Sequence, residues 1–268
     1  MDRLKIGLAL SGGVAKSVAH IGVLRALVEQ KIAIDCLAGT SGGSLVASLF
    51  AAGKSIAELD ALGTSMHWKN LAGITVPRLG FLSSDKIRRF VSDEIGDVEF
   101  KDLAVPLAIV ASDLTAGKGK VFTTGNVPLA CQASSAIPEF YAPVEIDGHL
   151  FVDGTLSEYV PVEALASLGD LFRIGVNLGY EERSSQKPRN LIEVTAKVTN
   201  YISQQNAAIS ERSADFVIRP DLGEFHPFNL DRASEMIRIG YLSTMPLIPK
   251  LKEALAARAG SETGERSS

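Results

Sequence analysis

Residues 5–53 constrain the fold more tightly than any other stretch of this chain. Lys5-Ile6-Gly7-Leu8-Ala9-Leu10 is a mostly apolar run, the pattern of a strand covered on both faces. Ser11-Gly12-Gly13 breaks it, and a helical pattern follows with Ile21, Leu24, Leu27 and Val28 on one face. Residues 34–38 read as a second strand. Gly39-Thr40-Ser41-Gly42-Gly43 then turns sharply into a helix carrying Leu45, Val46, Leu49 and Phe50, with Gly53 as its stop. A strand–helix–strand–helix unit of this kind pairs its strands in parallel through a right-handed crossover. Both carboxyl ends then lie at one sheet edge, where open α/β sheets hold their sites. The Gly12-Gly13 loop and the turn at residues 39–43 are therefore expected side by side.

Downstream, strands are expected at residues 106–111, 121–123, 172–178 and 216–219. Val144-Glu145-Ile146 and His149-Leu150-Phe151-Val152 flank Asp147-Gly148 and read as a hairpin. Helices are expected at about 84–94, 126–134, 188–211, 230–240 and 247–258. There is no internal repeat. Ser184-Ser185-Gln186-Lys187-Pro188 reads as an exposed loop rather than a linker between two cores. The expectation is a single domain over residues 1–259, with 260–268 as a polar, flexible tail.

Composition narrows the function. The 27 basic and 31 acidic residues leave a net charge of −4, without the basic excess a nucleic-acid binder needs to neutralise phosphates. Cys36 and Cys131 are the only cysteines, and their spacing encodes neither a zinc ribbon nor a disulfide framework. The first apolar run is too short for a secretory signal, and no stretch of about 20 apolar residues spans a membrane. A cytoplasmic protein is expected, in peripheral contact with a membrane surface at most.

Gly39-Thr40-Ser41-Gly42-Gly43 fits G-x-S-x-G between a strand and a helix. A nucleophile on such a turn needs neighbours without side chains, and the turn lifts the serine oxygen above the sheet. The following helix directs its dipole at the site and favours developing negative charge. Gly12-Gly13-Val14-Ala15-Lys16-Ser17 follows the first strand and opens the first helix, so its amides suit an anion. Neither a dinucleotide fingerprint nor a P-loop fits this segment. Beside Ser41, its role is that of an oxyanion hole.

Two bases are open to Ser41. Of His20, His67, His149 and His226, only His226 follows the plausible acids, as a Ser-Asp-His order requires. Asp153 ends a strand and precedes Gly154, which allows close approach, so it can serve the serine directly; a simple turn role suits it equally.

Taken together, these segments resemble the patatin-like phospholipase family, most closely its bacterial members and the catalytic domain of neuropathy target esterase. The resemblance rests on Gly7-Leu8-Ala9-Leu10-Ser11-Gly12-Gly13, Ala19-His20-Ile21-Gly22-Val23-Leu24, Ala38-Gly39-Thr40-Ser41-Gly42-Gly43, Ala133-Ser134-Ser135-Ala136-Ile137-Pro138 and Val152-Asp153-Gly154. It implies a three-layer α/β/α fold with a central, mostly parallel sheet. It also implies a Ser–Asp dyad hydrolase of lipid acyl esters that uses no metal and no cofactor. By matching position Ser41 is the nucleophile and Asp153 the general base, Gly12, Gly13 and Val14 line the oxyanion hole, and His20 is structural. Gly39, Gly43, Lys16 and Gly154 support the motifs.

The chain departs from the family pattern at the site. The family's loop usually reads G-G-G-x-R-G; here Val14, Lys16 and Ser17 replace a Gly, the Arg and another Gly, and Thr155 stands where Gly or Ala is usual. Val14 adds a Cβ, and Lys16 lacks a planar bidentate guanidinium. Two alternatives follow: a catalytically weak lipid- or acyl-binding protein on the same fold, and a Ser-His-Asp esterase using His226. The apolar, glycine- and proline-broken stretch at residues 71–82 follows His67-Trp68-Lys69. It is expected to line or cover the entrance to Ser41, with Ile74 and Phe81 meeting lipid.

Overall fold

The first apolar run becomes β1 (Ile6–Leu10), all five of whose residues are buried. The computed structural model describes residues 3–67, 73–74, 82–138, 140–179, 187–226 and 228–265. A 3-10 turn (Val14–Val18) leads into α1 (Ala19–Glu29), β2 (Cys36–Thr40), α2 (Gly42–Ala51) and α3 (Ile56–Ser65). A two-residue pairing of β3 (Gly73–Ile74) with β4 (Leu82–Ser83) precedes α4 (Asp85–Ile95). Next come β5 (Leu107–Asp113), β6 (Lys118–Phe122), α5 (Val127–Ser134), β7 (Val144–Ile146), β8 (His149–Asp153) and β9 (Phe172–Val176). The chain continues through α6 (Leu191–Ser210), β10 (Phe216–Ile218), α7 (Ala233–Thr244) and α8 (Ile248–Glu265).

The main sheet runs β10-β9-β1-β2-β5-β8-β7, with β6 also paired to β5. The strands from β10 to β5 are parallel; β6, β7 and β8 join antiparallel. Alternation along the strands builds two different faces. Leu8, Leu10, Leu37, Ile109, Ile174 and Val176 form the larger core with residues of α1, α2, α5 and α7. Ala9, Cys36, Ala38 and Ala108 face the other way, and their small size lets Tyr159, Val160, Val162, Leu165 and Ala207 of α6 lie close. The result is the expected α/β fold with helices about a mixed sheet.

One register places the site. β2 pairs with β5 from Leu37↔Leu107 to Thr40↔Val110. β8 pairs with the next residues of β5, from Ala111↔Asp153 to Asp113↔Phe151. Since β6 pairs with Ile109 to Asp113, it takes the opposite edge of β5. β2 and β8 therefore meet end to end along one edge, and Ser41 arrives beside Asp153.

Several boundaries differ from the sequence reading. β2 begins and ends two residues later than 34–38, because Asp35 is held outside the strand by Arg3 and by the Ile6 N–H (2.8 Å to Oδ2). β6 spans Lys118–Phe122 rather than 121–123; its first three residues, Lys118, Gly119 and Lys120, are exposed and carry no apolar signal. The lysines on this edge strand discourage further pairing. α3 had a legible start: Ser55 accepts from Glu58 N–H and Glu58 accepts from Ser55 N–H (2.8 Å), a capping box written as Ser-x-x-Glu. α8 extends to Glu265, taking in residues 260–265 of the expected tail. Of the stretch at 71–82, residues 71–72 and 75–81 lie outside the described residues, as do Trp68, Lys69 and residues 184–186.

Candidate active site

β2 delivers Ser41 at the point where the chain reverses into α2. Ser41 adopts φ 52° and ψ −130°, a backbone that a non-glycine residue holds only when its surroundings enforce it. Three contacts enforce it here. The Ser41 N–H donates to Ser134 Oγ at 2.8 Å. The Ser41 carbonyl accepts from Ser44 N–H (2.8 Å) and from Ser44 Oγ (2.6 Å). Crowding explains the flanking glycines: a Cβ on Gly39 would lie 2.5 Å from Ser44 Cα, and one on Gly43 would strike the carbonyl oxygens of Leu10 and Ser11.

Asp153 closes the pair. Ser41 Oγ donates to Asp153 Oδ2 at 2.6 Å, and both residues are buried, at 3% and 2% exposure. Thr155 N–H donates to the other carboxylate oxygen at 2.9 Å. The Asp153 backbone is tied through its N–H to the Ala136 carbonyl (2.9 Å) and through its carbonyl to the Ser112 hydroxyl (2.9 Å). Gly154 lets this turn press against β5, where a Cβ would strike the Val110 carbonyl. Burial raises the Asp153 carboxyl from 3.8 to about 6, although the Ser41 hydroxyl and Thr155 N–H pull the other way. A carboxylate poised near neutrality is suited to taking a proton and returning it.

The glycine loop lies beside this pair, as the parallel strands require. A Cβ on Gly12 would sit 3.5 Å from Ser41 Cβ and would overlap Thr155. The Gly12 N–H donates to the Tyr159 carbonyl at 3.1 Å and is therefore committed. The N–H groups of Gly13 and Val14 stand at the start of the 3-10 turn, where no acceptor within the turn is available to them. Lys16 is buried, and its N–H closes the turn onto the Gly13 carbonyl at 3.0 Å. Val14 has φ 53°, so the chain keeps a left-handed backbone where the family pattern has glycine, despite a β-branched side chain. Ser17 Oγ is buried without a hydrogen-bond partner among the described residues and occupies the space beside Gly42.

The histidines stand apart from the pair. His20 is fully buried with Nε2 2.9 Å from the Ser11 carbonyl, and burial lowers it to about 4, so it is a neutral donor bracing the loop. His149 Nδ1 lies 2.8 Å from Asp113 Oδ2. His226 accepts from the Phe228 N–H through Nδ1 (3.2 Å); among the described residues it makes no hydrogen bond to Ser41 or Asp153. No group of three His, Cys, Asp or Glu among the described residues is arranged to hold a metal ion.

Ser134 is the residue that sequence reasoning passed over. Its hydroxyl accepts from the Ser41 N–H and donates to the Val110 carbonyl at 2.6 Å, linking α5, β5 and the turn. Its only signal was its place in Ala133-Ser134-Ser135-Ala136-Ile137-Pro138. Ser134→Ala leaves a buried N–H and a buried carbonyl without their partner, a loss of about 1–3 kcal/mol in stability. Thermal unfolding should register that loss. Because the Ser41 backbone is no longer pinned, kcat for ester cleavage should fall more than KM rises; a variant that loses stability with unaltered kcat assigns Ser134 to the fold alone.

Val14→Gly tests the other departure. Removing the Cβ relieves about 1–2 kcal/mol of left-handed strain, while the freer unfolded chain takes back about 0.5–1 kcal/mol. The expected result is unchanged or slightly raised stability, unlike most losses of an apolar side chain. If the native loop damps turnover, Val14→Gly combined with Lys16→Arg should raise kcat more than it lowers KM. Steady-state kinetics with no gain would mean that the native loop already donates well.

A family model described as patatin-like phospholipase matches residues 8–166. An uncharacterised NTE family protein of Mycobacterium tuberculosis is 35% identical over 219 residues, covering 78% of this chain and 59% of that protein. Neuropathy target esterase sws of Drosophila melanogaster is 28% identical over 185 residues, covering 66% of this chain and 13% of that protein. The chain thus spans less than two thirds of the length of either relative. The crystal structure of VipD from Legionella pneumophila has a TM-score of 0.68 at 14% identity, covering 93% of this chain and 67% of that one, a likeness of fold.

Proposed function

Because this chain belongs to the patatin-like phospholipase family, we propose that it is a serine acyl hydrolase cleaving lipid acyl esters through Ser41 and Asp153. The observation that carries the reading is the 2.6 Å hydrogen bond from a strained, clamped Ser41 to a buried carboxylate. In the first half-reaction Ser41 Oγ attacks the ester carbonyl carbon and its proton passes to Asp153 Oδ2. Negative charge gathers on the former carbonyl oxygen, facing the amides of Gly13 and Val14 and the N-terminus of α2 at Gly42. As the tetrahedral intermediate collapses, the alcohol leaves with the proton from Asp153, and the acyl group stays on Ser41. Water then attacks the acyl-enzyme, giving its proton to Asp153. Collapse returns that proton to Ser41 Oγ and releases the fatty acid.

Asp153 is favoured over His226 as the base, because it already holds the Ser41 hydroxyl while His226 is engaged with Phe228. The substrate, a phospholipid, lysophospholipid or simpler ester, is expected to be met at a membrane surface from the cytoplasm. No described helix is long and apolar enough to cross a membrane. The test is hydrolysis of p-nitrophenyl esters of increasing chain length and of phospholipids by wild type and Ser41→Ala. Turnover that persists in folded Ser41→Ala overturns the proposal. Binding of lipid without Ser41-dependent turnover would instead make the chain a lipid-binding protein on this fold.

A further inference from the structure

α6 is built inside out. Leu191, Val194, Val198, Tyr201, Ile202 and Ile209 are between 41% and 79% exposed. They recur at helical spacing within an arc of about 100°. The opposite side is small and polar, and it is the packed side: Ser203, Ala207 and Ser210 are buried. An ordinary surface helix does the reverse. Of the ten large hydrophobics exposed among the described residues, six fall on this one stripe, which sets it apart from scattered surface residues.

We propose that the apolar stripe of α6 is a membrane-docking face that lies in the plane of an anionic lipid surface. This rests on the reading of the chain as a lipid-ester hydrolase. Charge favours a lipid surface over other occupants. Residues 187–210 carry Lys187, Arg189 and Lys197 against the single acid Glu193, in a chain whose net charge is −4. Basic residues beside an apolar stripe are the composition of an interfacial helix, and Tyr201 in mid-stripe has a ring suited to the headgroup boundary. The inner side of the helix is latched to the site. Asn206 Nδ2 donates to the carbonyls of Thr155 (3.3 Å) and Leu156 (2.6 Å), in the turn that follows Asp153. A helix seated on lipid through its outer face would hold the catalytic turn at a fixed distance from the substrate layer.

The experiment uses the full chain. Co-sedimentation with phosphatidylcholine vesicles containing one quarter phosphatidylglycerol is measured for wild type, Val198→Glu with Ile202→Glu, and Lys187→Glu with Lys197→Glu. The apolar-to-acid pair should lower vesicle partitioning about ten-fold or more, and the charge reversal should weaken it on anionic vesicles only. Cleavage of a short soluble ester should be unaltered in both. If the glutamate pair fails to fold, Val198→Ser with Ile202→Ser decides, with a smaller loss in the same direction. Wild type that does not partition, or variants that partition like wild type, overturn the proposal. So does a wild-type dimer that the variants dissolve while vesicle binding stays intact, which would make a second copy the occupant. Vesicle binding without Ser41-dependent hydrolysis would leave the docking face standing and remove the hydrolase reading instead.

Discussion

Ser41→Ala is expected to reduce ester hydrolysis to background, a loss on the order of 10⁴-fold or more, while the protein keeps its fold. The magnitude follows from the chemistry: an alanine leaves no atom to carry the acyl group. Ser44 and Ser134 lie close, yet both are engaged in holding the Ser41 backbone rather than its side chain. Stability should fall by about 1–3 kcal/mol, because the buried Asp153 carboxylate loses its Ser41 donor, while the backbone contacts of the turn are kept. The check is active-site labelling by a fluorophosphonate alongside turnover. Wild type should label stoichiometrically and Ser41→Ala should not label at all; labelling that survives places the nucleophile elsewhere.

Asp153→Asn has the next largest effect and moves activity and stability in opposite directions. An amide cannot take the Ser41 proton, so kcat falls by at least about 10²-fold, whereas His226→Ala changes little. In wild type, kcat/KM should rise with pH and level off above about 6, where burial has moved the Asp153 carboxyl. The linkage runs the other way. Asp153 holds its proton more tightly folded than unfolded, so its contribution to stability is complete below about pH 4 and is lost as pH rises through about 6. The neutral asparagine is free of that loss. Asp153→Asn should therefore be more stable than wild type at pH 7, by up to ~3 kcal/mol, with the difference vanishing near pH 4. Denaturant titrations at the two pH values measure it. A variant that is active, or equally unstable at both, separates Asp153 from the base role.

The proposed nucleophile was legible because everything that marks Ser41 is local: a strand, a glycine turn and a helix within residues 36–51. The base was not. By chemistry alone Asp153 was as well explained as a turn residue, with His226 in a loop as the alternative, and only the family resemblance favoured the aspartate. What joins Asp153 to Ser41 is the register of β8 on β5, a non-local pairing that no periodicity records. Ser134 was hidden for the same reason, since its two partners are Ser41 in the turn after β2 and Val110 in β5, both distant in sequence. β6 was legible only at its end, as the strand expected at 121–123, because the exposed residues 118–120 of an edge strand have no buried face to imprint on the sequence. α6 was legible as a helix, but its hydrophobic periodicity could not reveal which side faces the protein. Pattern identifies an apolar stripe, and only packing determines what the stripe meets.

The end-to-end meeting of β2 and β8 along β5 also bears on when this chain becomes chemically competent. The serine and its base are 112 positions apart in sequence. The nucleophile turn can form with β1, β2 and their helices as soon as those have emerged, but the edge of β5 beyond Val110 stays empty until β8 arrives. Contacts that close long loops are late ones. A nascent or truncated chain ending before β7 thus carries the nucleophile without the base. On the proposed mechanism such a chain is expected to be inert, since the Ser41 hydroxyl has no carboxylate to take its proton until β8 pairs with β5.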